Sequence, residues 1–588
     1  MLKNVVIIGV LAAVVALPFI FRSSPEGQAW REGDPVLVVV SPHNEAIRHE
    51  FGEGFSRWHQ EHYGRPALVD WRNIGGTTEI SRYVQSEFVT SFKAWWEAAG
   101  RPWRGDGASI ILSRSFDPTR RPDAVPESDW QEQQALYEAF RGTDDPRAFT
   151  SGMDIWFGGG TYDADTAARQ GIAVAPWPAD RVPPGLVATA DSRELVPSDV
   201  GGEVWWRPTY YGTTLSTFGM CFNRDRMAAL GITDDPAAWE DLADPRWCGT
   251  LGLADPTKSG SIAKAFETIV QVQCRKAVEA AGFAPAQADA YEAAIAAAKL
   301  PPGELPPNVP RAYQEAVERG WLEGVRLVQR IGANARYFTD SANKVPLDVG
   351  TGNAAAGICI DFYGLFEAEV ANGARGADGP MHYRTPAGES GVSADPVLLL
   401  RGAPHRDLAC RFIQYLLSID GQRLWCYRPG TPGGPNQYAL QRVPIRRDFY
   451  PSADPEFAAA CESHRRYTSR DLADPAVDAY VLAAAYEYRV RWTGTHFGML
   501  RDLVRAMCLD SGIEQRAAWR AIAAAGGPDA VPEAYAAFST LPDAPEPLNW
   551  LTALDVLKRH DRIDLLRDWT EHFRRQYRLA LRLAQEGR

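Results

Sequence analysis

Four short polar turns in the sequence have the composition that binds anions through backbone amides. Each one combines Gly, Ser, Thr or Asn at a point where an apolar run gives way to a helical pattern. Backbone N–H groups at the start of a helix point outward and carry the positive end of the helix dipole, so they bind anions without a basic side chain. Ser, Thr and Gly also cap helices that bind no ligand, and this alternative stays open for each turn. The turns are Ser41-Pro42-His43-Asn44, Gly75-Gly76-Thr77-Thr78, Gly158-Gly159-Gly160-Thr161 and Thr257-Lys258-Ser259-Gly260-Ser261.

Sequence patterns of catalytic and metal sites are weak or missing. The chain has no GxxxxGK[ST] phosphate loop, no HExxH zinc motif and no GxSxG nucleophile elbow. Gly350–Ala355 imitates a dinucleotide-binding turn, but Lys344–Val349 before it is a poor buried strand and no acidic ribose partner is evident. His59 and His62 stand three residues apart without a carboxylate or Cys cluster. We therefore expect a binding protein without cofactors or a resident metal, and not an enzyme.

Composition bounds the class of protein. The chain has 588 residues, of which 45% are apolar, and this excludes a mainly disordered chain and a single compact domain. Its net charge is -12, without any block of like charge. Binding to DNA or RNA needs clustered Lys and Arg to neutralise phosphates, so nucleic acid is not an expected partner.

The N-terminus indicates export. Lys3 precedes an apolar run, Val5–Phe21, which is slightly short for a full membrane span. Neither a small-residue cleavage pattern nor a lipoprotein Cys follows the run, so a cleaved signal and a retained membrane tether through residues 5–21 stay open alternatives. The eight cysteines allow up to four disulfide bridges or a set of buried free thiols.

Further along the chain, strand and helix patterns alternate. Apolar runs that stop at polar turns predict strands, and apolar residues at spacings of three and four after those turns predict helices. This alternation favours an α/β fold with a doubly wound sheet. The predicted strands are Val36–Val40, Ala67–Trp71 and Met153–Phe157, followed by helices through Ile47–Phe55, through Ile80–Phe88 and from about Asp163 to Gly171.

Several longer segments resemble the extracellular solute-binding proteins of bacterial ABC importers, in the iron(III)-type group. The longest match, Trp239–Ser261, is specific, and the resemblance covers roughly residues 36 to 430. It implies a two-lobed periplasmic-binding-protein-like type II fold with two hinge crossovers, a small-molecule solute held between the lobes, and permease subunits in the inner membrane as partners. The other matching segments are 38–46, 154–163, 211–225, 357–364 and 380–425.

The resemblance also implies a division of the chain. Residues 1–34 are the export segment and a linker, and residues outside the resemblance form a helical insertion and a mostly helical C-terminal extension. The expected parts are lobe 1 at 35–205 with the insertion at about 89–150, lobe 2 at 206–365, a return to lobe 1 at 366–450, and the extension at 451–588.

Ligand identity is the least determined point. Iron-binding members use a His, a carboxylate and two adjacent Tyr, of which this chain keeps His43 and Tyr363, whereas Phe362 and Gly159-Gly160 replace the others. Loss of two oxygen ligands favours an organic anion such as a sugar phosphate or phosphonate over ferric iron. An anchored sensor subunit is a further alternative, and a hydrolase is not expected. The predicted ligand-binding residues are Ser41, His43, Asn44, Gly76, Thr77, Thr78, Gly160, Thr161, Ser259, Ser261, Asp361 and Tyr363.

Overall fold

Strands and helices alternate through most of the chain. The computed structural model describes residues 31–588, so the predicted export segment Val5–Phe21 lies outside the described residues. The strands are β1 Val36–Val40, β2 Leu68–Arg72, β3 Ile155–Phe157, β4 Ala173–Val174, β5 Asp199–Val200, β6 Glu203–Val204, β7 Trp206–Arg207, β8 Tyr210–Ser216, β9 Phe218–Asn223, β10 Leu251–Ala254, β11 Ala335–Thr339, β12 Ala356–Ile360, β13 Met381–Arg384, β14 Ser393–Leu400 and β15 Val443–Pro444.

Helices separate these strands and make up most of the C-terminal extension. The α-helices are α1 Glu45–Tyr63, α2 Thr77–Ala98, α3 Gly107–Ile111, α4 Glu127–Arg141, α5 Thr161–Arg169, α6 Arg224–Ala229, α7 Gly260–Ala280, α8 Pro285–Ala298, α9 Arg311–Ala333, α10 Lys344–Gly350, α11 Asp361–Asn372, α12 Arg406–Leu417, α13 Ile419–Cys426, α14 Pro455–Arg465, α15 Ala479–Ala484, α16 Phe497–Val504, α17 Gly512–Ala524, α18 Pro532–Phe538, α19 Val556–Arg559 and α20 Arg562–Gln585. Among residues 31–588, no helix combines the length and the apolar character that a membrane crossing requires.

The sheet of lobe 1 has the strand order β15-β8-β14-β3-β1-β2. β1 pairs in parallel with β2 and β3, and β14 runs antiparallel to β3 and β8. Leu37 and Val39 pack into the core on one face of the sheet, and Val40 packs into the core on the other. This burial on both faces explains the continuous apolar run of β1.

The sheet of lobe 2 has the order β11-β10-β12-β9-β13. β10 pairs in parallel with β11 and β12, whereas β9 runs antiparallel to β12 and β13. Two separate sheets, each covered by helices, confirm the predicted two-lobed α/β fold with a helical C-terminal part.

The crossovers between the lobes lie later than the sequence predicts. Lobe 2 was expected to span 206–365, but β8 is fully buried and pairs with β14 and β15 of lobe 1. Met381–Arg384 pairs with β9 and so belongs to lobe 2. The chain therefore crosses at Thr217 and at 385–392, where the Thr217 and Thr385 hydroxyls lie 2.9 Å apart. Strand pairing between distant segments, which no local pattern reports, sets these boundaries.

The two segments outside the resemblance pack on different lobes. In the insertion, Ile110, Phe140 and Phe149 join the core on the Val40 face of lobe 1. The extension divides: Leu472 and Ala483 lie in the other core of lobe 1, whereas Trp492–Ala584 contributes to the core of lobe 2. All eight cysteines are free thiols, and six of them are buried, which favours the free-thiol alternative over bridges.

Candidate functional site

A cavity of about 1070 Å³ lies between the two lobes. Its walls come from three parts of the chain: the strand ends and helix α5 of lobe 1, helix α7 of lobe 2, and residues of the C-terminal extension. A space of this size takes a drug-sized organic solute. The lining residues include, from lobe 1, Gly160, Thr161, Asp163, Asp165, Arg169, Glu203, Ser216, Asp395 and Arg442, from lobe 2 Gly260, Ser261, Lys264 and Glu267, and from the insertion and extension Arg114, Tyr488, Phe497 and Lys558.

Three helix N-termini from both lobes converge at one end of this cavity. Gly160 is the N-cap of α5, Ser259 is the N-cap of α7, and both helix starts line the cavity. A Cβ placed on Gly260 would lie 3.7 Å from the hydroxyl oxygen of Thr77, the first residue of α2. Unpaired backbone N–H groups and aligned helix dipoles make this end of the cavity favourable for a negative charge.

A carboxylate of the protein lies at the same place. The Asp163 oxygen Oδ2 is 3.5 Å from the position of a Cβ on Gly260 and 3.8 Å from that of a Cβ on Gly160. Burial raises the pKa of the Asp163 carboxyl, and the nearby Arg501 lowers it by a smaller amount. Asp163 therefore lies where a bound anion would meet it, and it takes up a proton at a higher pH than an exposed aspartate does.

Arg501, on α16 of the extension, contacts both lobes at this convergence. Its guanidinium donates to the Thr78 hydroxyl oxygen of lobe 1 at 2.6 Å, and to the Pro256 and Thr257 carbonyl oxygens of lobe 2 at 2.8 and 3.0 Å. Among the described residues, no carboxylate forms an ion pair with it within 4.0 Å. Sequence reasoning missed Arg501, because Thr78 lies 423 residues away in the chain.

A buried ion cluster forms the next part of the wall. The Lys264 ammonium lies 2.7 Å from a Glu203 oxygen of lobe 1 and 2.9 Å from a Glu267 oxygen of lobe 2. It also lies 3.8 Å from the ring centre of Tyr488, whose hydroxyl donates to Glu267 at 2.6 Å. Burial raises the pKa of the Glu203 carboxyl, whereas the Lys264 ammonium lowers it. This cluster joins lobe 1, lobe 2 and the extension in the wall of the cavity.

Near the crossovers, a second buried cluster forms part of the cavity wall. The Arg442 guanidinium donates to an Asp395 oxygen and, at 2.8 Å, to the Ser216 hydroxyl oxygen. The same Asp395 oxygen lies 2.9 Å from His43 Nε2. Burial raises the pKa of the Asp395 carboxyl, but Arg442 and His43 outweigh it and hold that pKa at about 2. His43 is 5% exposed and is occupied by this contact.

The predicted site residues fall into three groups. Gly160, Thr161 and Ser261 line the cavity. Gly76, Thr77, Thr78 and Ser259 lie at the converging helix starts, where Ser259 caps α7 through the Ile262 N–H and Thr78 accepts from Arg501. The others are not brought to the lining: Ser41 and Asn44 bond their own turn, His43 pairs with Asp395, and Asp361 and Tyr363 start α11 near the crossovers.

Two of these residues lie in a buried environment at the start of α11. Asp361 is 2% exposed and accepts a hydrogen bond from the Phe362 N–H at 2.8 Å. Burial raises the pKa of the Tyr363 phenol to about 12. Within residues 31–588, no group of three or more His, Cys, Asp or Glu side chains is placed to hold a metal ion.

Asp163→Asn is expected to tighten the binding of inorganic sulfate at pH 8 by roughly tenfold, the effect of removing about 1.4 kcal/mol of charge repulsion. In the unaltered protein, sulfate affinity should rise as the pH falls and Asp163 takes up its proton; in the variant this dependence should flatten. Isothermal titration calorimetry between pH 5 and 8 measures both effects. Asp165→Asn is the matched control, since Asp165 lines the same cavity but pairs with Arg169 at 2.7 Å. Equal pH profiles for the Asp163 variant and the unaltered protein would contradict this role.

Known proteins similar to this chain include binding proteins of transporters. The family model described as a bacterial extracellular solute-binding protein matches residues 190–300. An uncharacterized protein of Haemophilus influenzae is 27% identical over 271 residues, 46% of this chain and 60% of that protein. The phosphoglycerate transport regulatory protein PgtC of Salmonella typhimurium is 24% identical over 237 residues, 40% of this chain and 44% of PgtC. The chain thus spans less than two thirds of the length of these two relatives.

Solved structures of the same kind were also found. The periplasmic binding protein AfuA of Actinobacillus pleuropneumoniae, with fructose-6-phosphate bound, is 16% identical, covers 66% of this chain and 81% of its own, and has a TM-score of 0.38. The match of residues 190–300 includes the longest of the motifs recognised in the sequence, Trp239–Ser261. The predicted resemblance to bacterial extracellular solute-binding proteins is therefore confirmed.

Proposed function

We propose that this protein is the extracytoplasmic solute-binding component of an ABC importer and that it holds an organic anion, such as a sugar phosphate or phosphonate, between its lobes. The observation that carries this proposal is the opening of two helix N-termini, α5 of lobe 1 and α7 of lobe 2, into one cavity. A solute bound there contacts both lobes at once, as a carrier that closes on its solute requires.

Backbone N–H groups would bind the anionic group of the solute. Those at Gly160 and Thr161 and those at Gly260 and Ser261 belong to first turns, where helix geometry leaves N–H groups without a partner in the same helix. The Thr161 and Ser261 hydroxyls add donors at the same helix starts. Arg501 supplies a positive charge nearby, and the neutral form of Asp163 is the form compatible with a bound anion.

The rest of the cavity suits the organic part of such a solute. Tyr488 and Phe497 offer apolar ring surface to it. Arg114 and Lys558 also line the cavity, and neither forms an ion pair within residues 31–588. The name of the relative PgtC, a phosphoglycerate transport regulatory protein, agrees with an organic phosphate.

Ferric iron fits the site less well. The two residues kept from the iron-binding pattern are His43, which is held by Asp395, and Tyr363, whose pKa is raised to about 12. The other two ligands of that pattern are replaced by Phe362 and by Gly159-Gly160. The contact of His43 with Asp395 and the loss of two oxygen ligands support an organic anion in preference to iron.

Compartment and partners follow from the proposed role. We infer export through the N-terminal segment and delivery of the solute to permease subunits in the inner membrane. If Val5–Phe21 is retained, it tethers the carrier at the membrane surface; a tethered solute sensor would use the same cavity. No step of turnover is part of this proposal.

A thermal-shift panel tests the solute class. We expect a sugar phosphate or phosphonate to raise the Tm, since a ligand at about 100 times its Kd adds roughly 2.7 kcal/mol to the free energy of unfolding. The matching sugar without phosphate, a polyamine and ferric citrate serve as the comparison set. Stabilisation by iron alone, with a visible tyrosinate absorption band, would overturn the organic-anion proposal.

A further inference from the structure

The C-terminal extension passes from the core of one lobe to the core of the other. Ala479 and Ala483 pack in a core of lobe 1, and Trp492, Leu500 and Trp519 pack in the core of lobe 2. The segment between them, residues 484–491, is called the strap below. It is a third covalent connection between the lobes, in addition to the crossovers at Thr217 and 385–392.

The strap is bonded to both lobes along its length. The Tyr488 N–H donates to the Gly201 carbonyl oxygen of lobe 1 at 2.7 Å. The Tyr488 hydroxyl donates to Glu267 of lobe 2, and the Arg489 carbonyl oxygen accepts from Gln271 of lobe 2 at 2.7 Å. The approach to lobe 1 is so close that a Cβ on Gly202 (φ +78°) would lie 2.0 Å from the Tyr488 carbonyl oxygen. Only glycine fits there, because both the space and the backbone angle exclude a side chain.

Beyond the strap, the extension continues along the cavity. Phe497 lines it, and the Phe497 ring centre lies 4.7 Å from that of Tyr162 on lobe 1. One helical turn later, Arg501 bonds both lobes at the converging helix N-termini. The extension therefore links the lobes through the strap and again at the converging helix N-termini.

We propose that the C-terminal extension is a permanent third wall of the solute site, and that its strap limits how far the lobes open. The inference rests on the proposed function for the solute itself. The limit on opening is a property of the chain without any solute. A two-lobed protein joined only at its hinge opens around that hinge, whereas a third connection of fixed length restrains the same motion.

Lengthening the strap tests the limit directly. A ten-residue Gly-Ser insertion between Tyr488 and Arg489 separates the Tyr488 N–H, which is bonded to Gly201 of lobe 1, from the Arg489 carbonyl oxygen, which is bonded to Gln271 of lobe 2. We expect the solute-free radius of gyration, measured by small-angle X-ray scattering, to increase by roughly 1 Å as the lobes open. The same insertion between Gly526 and Gly527, in a turn within the lobe 2 part of the extension, should not open the lobes.

Two measurements together would contradict a restraint by the strap. The first is a solute-free radius of gyration of the unaltered protein that already exceeds the value calculated from the structure described here, and the second is an equal change of that radius by both insertions. This result would leave the solute class untouched, because that proposal is tested by the thermal-shift panel. Conversely, if no organic anion in the thermal-shift panel raised the Tm, the proposed restraint of the strap on lobe opening would be unaffected.

A point variant tests the same proposal where the insertion fails to fold. Arg501→Gln should speed amide hydrogen exchange at least fivefold at the starts of α2 and α7, because it removes the contacts that hold both lobes there. Arg505→Gln, one turn further along the extension, is the matched control, because within residues 31–588 Arg505 forms its ion pair with Asp510 alone. Equal exchange in the two variants would overturn the proposal.

Discussion

Arg442→Met is expected to lower the free energy of unfolding by about 3–5 kcal/mol, the usual effect of removing one partner from a buried ion pair. Arg442 is 1% exposed and donates to Asp395 and Ser216. Without the guanidinium, the Asp395 carboxylate stays buried with only His43 as a partner. Denaturant unfolding followed by Trp fluorescence measures the loss.

The pH dependence gives this prediction a second readout. Asp395 has a folded-state pKa of about 2, below the ordinary value of 3.8, so it contributes stability above about pH 4 that is lost as the pH falls toward 2. In Arg442→Met the folded-state pKa rises, and the contribution of Asp395 disappears at a higher pH. The double variant Arg442→Met, Asp395→Asn should recover most of the loss, since no charge is then left uncompensated. A single variant within 1 kcal/mol of the unaltered protein would contradict the account.

Gly160→Val is expected to weaken the binding of the anion identified by the thermal-shift panel by at least a hundredfold. Gly160 has φ -121° and ψ 155°, a conformation that valine readily adopts, and its Cβ would meet no atom closer than Asp163 Oδ2 at 3.8 Å. The fold should therefore tolerate the change. The added side chain takes the space in front of the α5 N-terminus, where the anion would bind.

Calorimetric titration of the variant measures the loss, and a matched glycine provides the control. Gly105 in the insertion has no atom within 4 Å of its Cβ position and does not line the cavity. Gly105→Val should bind as the unaltered protein does. Unchanged affinity in Gly160→Val would mean that the anion binds elsewhere, and the proposed site would be wrong.

Local patterns predicted the elements around the first helix starts of lobe 1. The apolar run Val36–Val40 predicts strand β1, and the turn at Gly158–Thr161 predicts the start of helix α5 to within a few residues. Because anion-binding amides come with such turns, Gly160, Thr161 and Ser261 could be proposed from the sequence and do line the cavity.

Contacts between distant segments could not be predicted in this way. His43 and Asp395 are 352 residues apart, and no periodicity in either segment reports that they meet. Arg501 and Tyr488 were missed for the same reason, since α16 and the strap belong to a segment whose sequence predicts an ordinary helical extension. The first boundary between the lobes lies at Thr217, but the sequence predicted it at residue 206. Tyr210–Ser216 and Phe218–Asn223 are both fully buried, so the chain passes from one sheet to the other without a change in hydrophobicity.

The packing of α20 has a consequence for the order in which the molecule folds. Trp569, Phe573 and Tyr577 of this helix share one core with Phe222 and Leu253 of lobe 2, which are encoded more than 300 residues earlier. Contacts between segments so far apart form late in folding, because the entropy of closing the long intervening loop must be lost first. Lobe 2 therefore completes its core only after α20 has joined it, and the Val40-face core of lobe 1 likewise needs Leu398 and Leu400, more than 350 residues after Val40. Both lobes should therefore gain full protection from hydrogen exchange late in refolding, after these distant segments have docked.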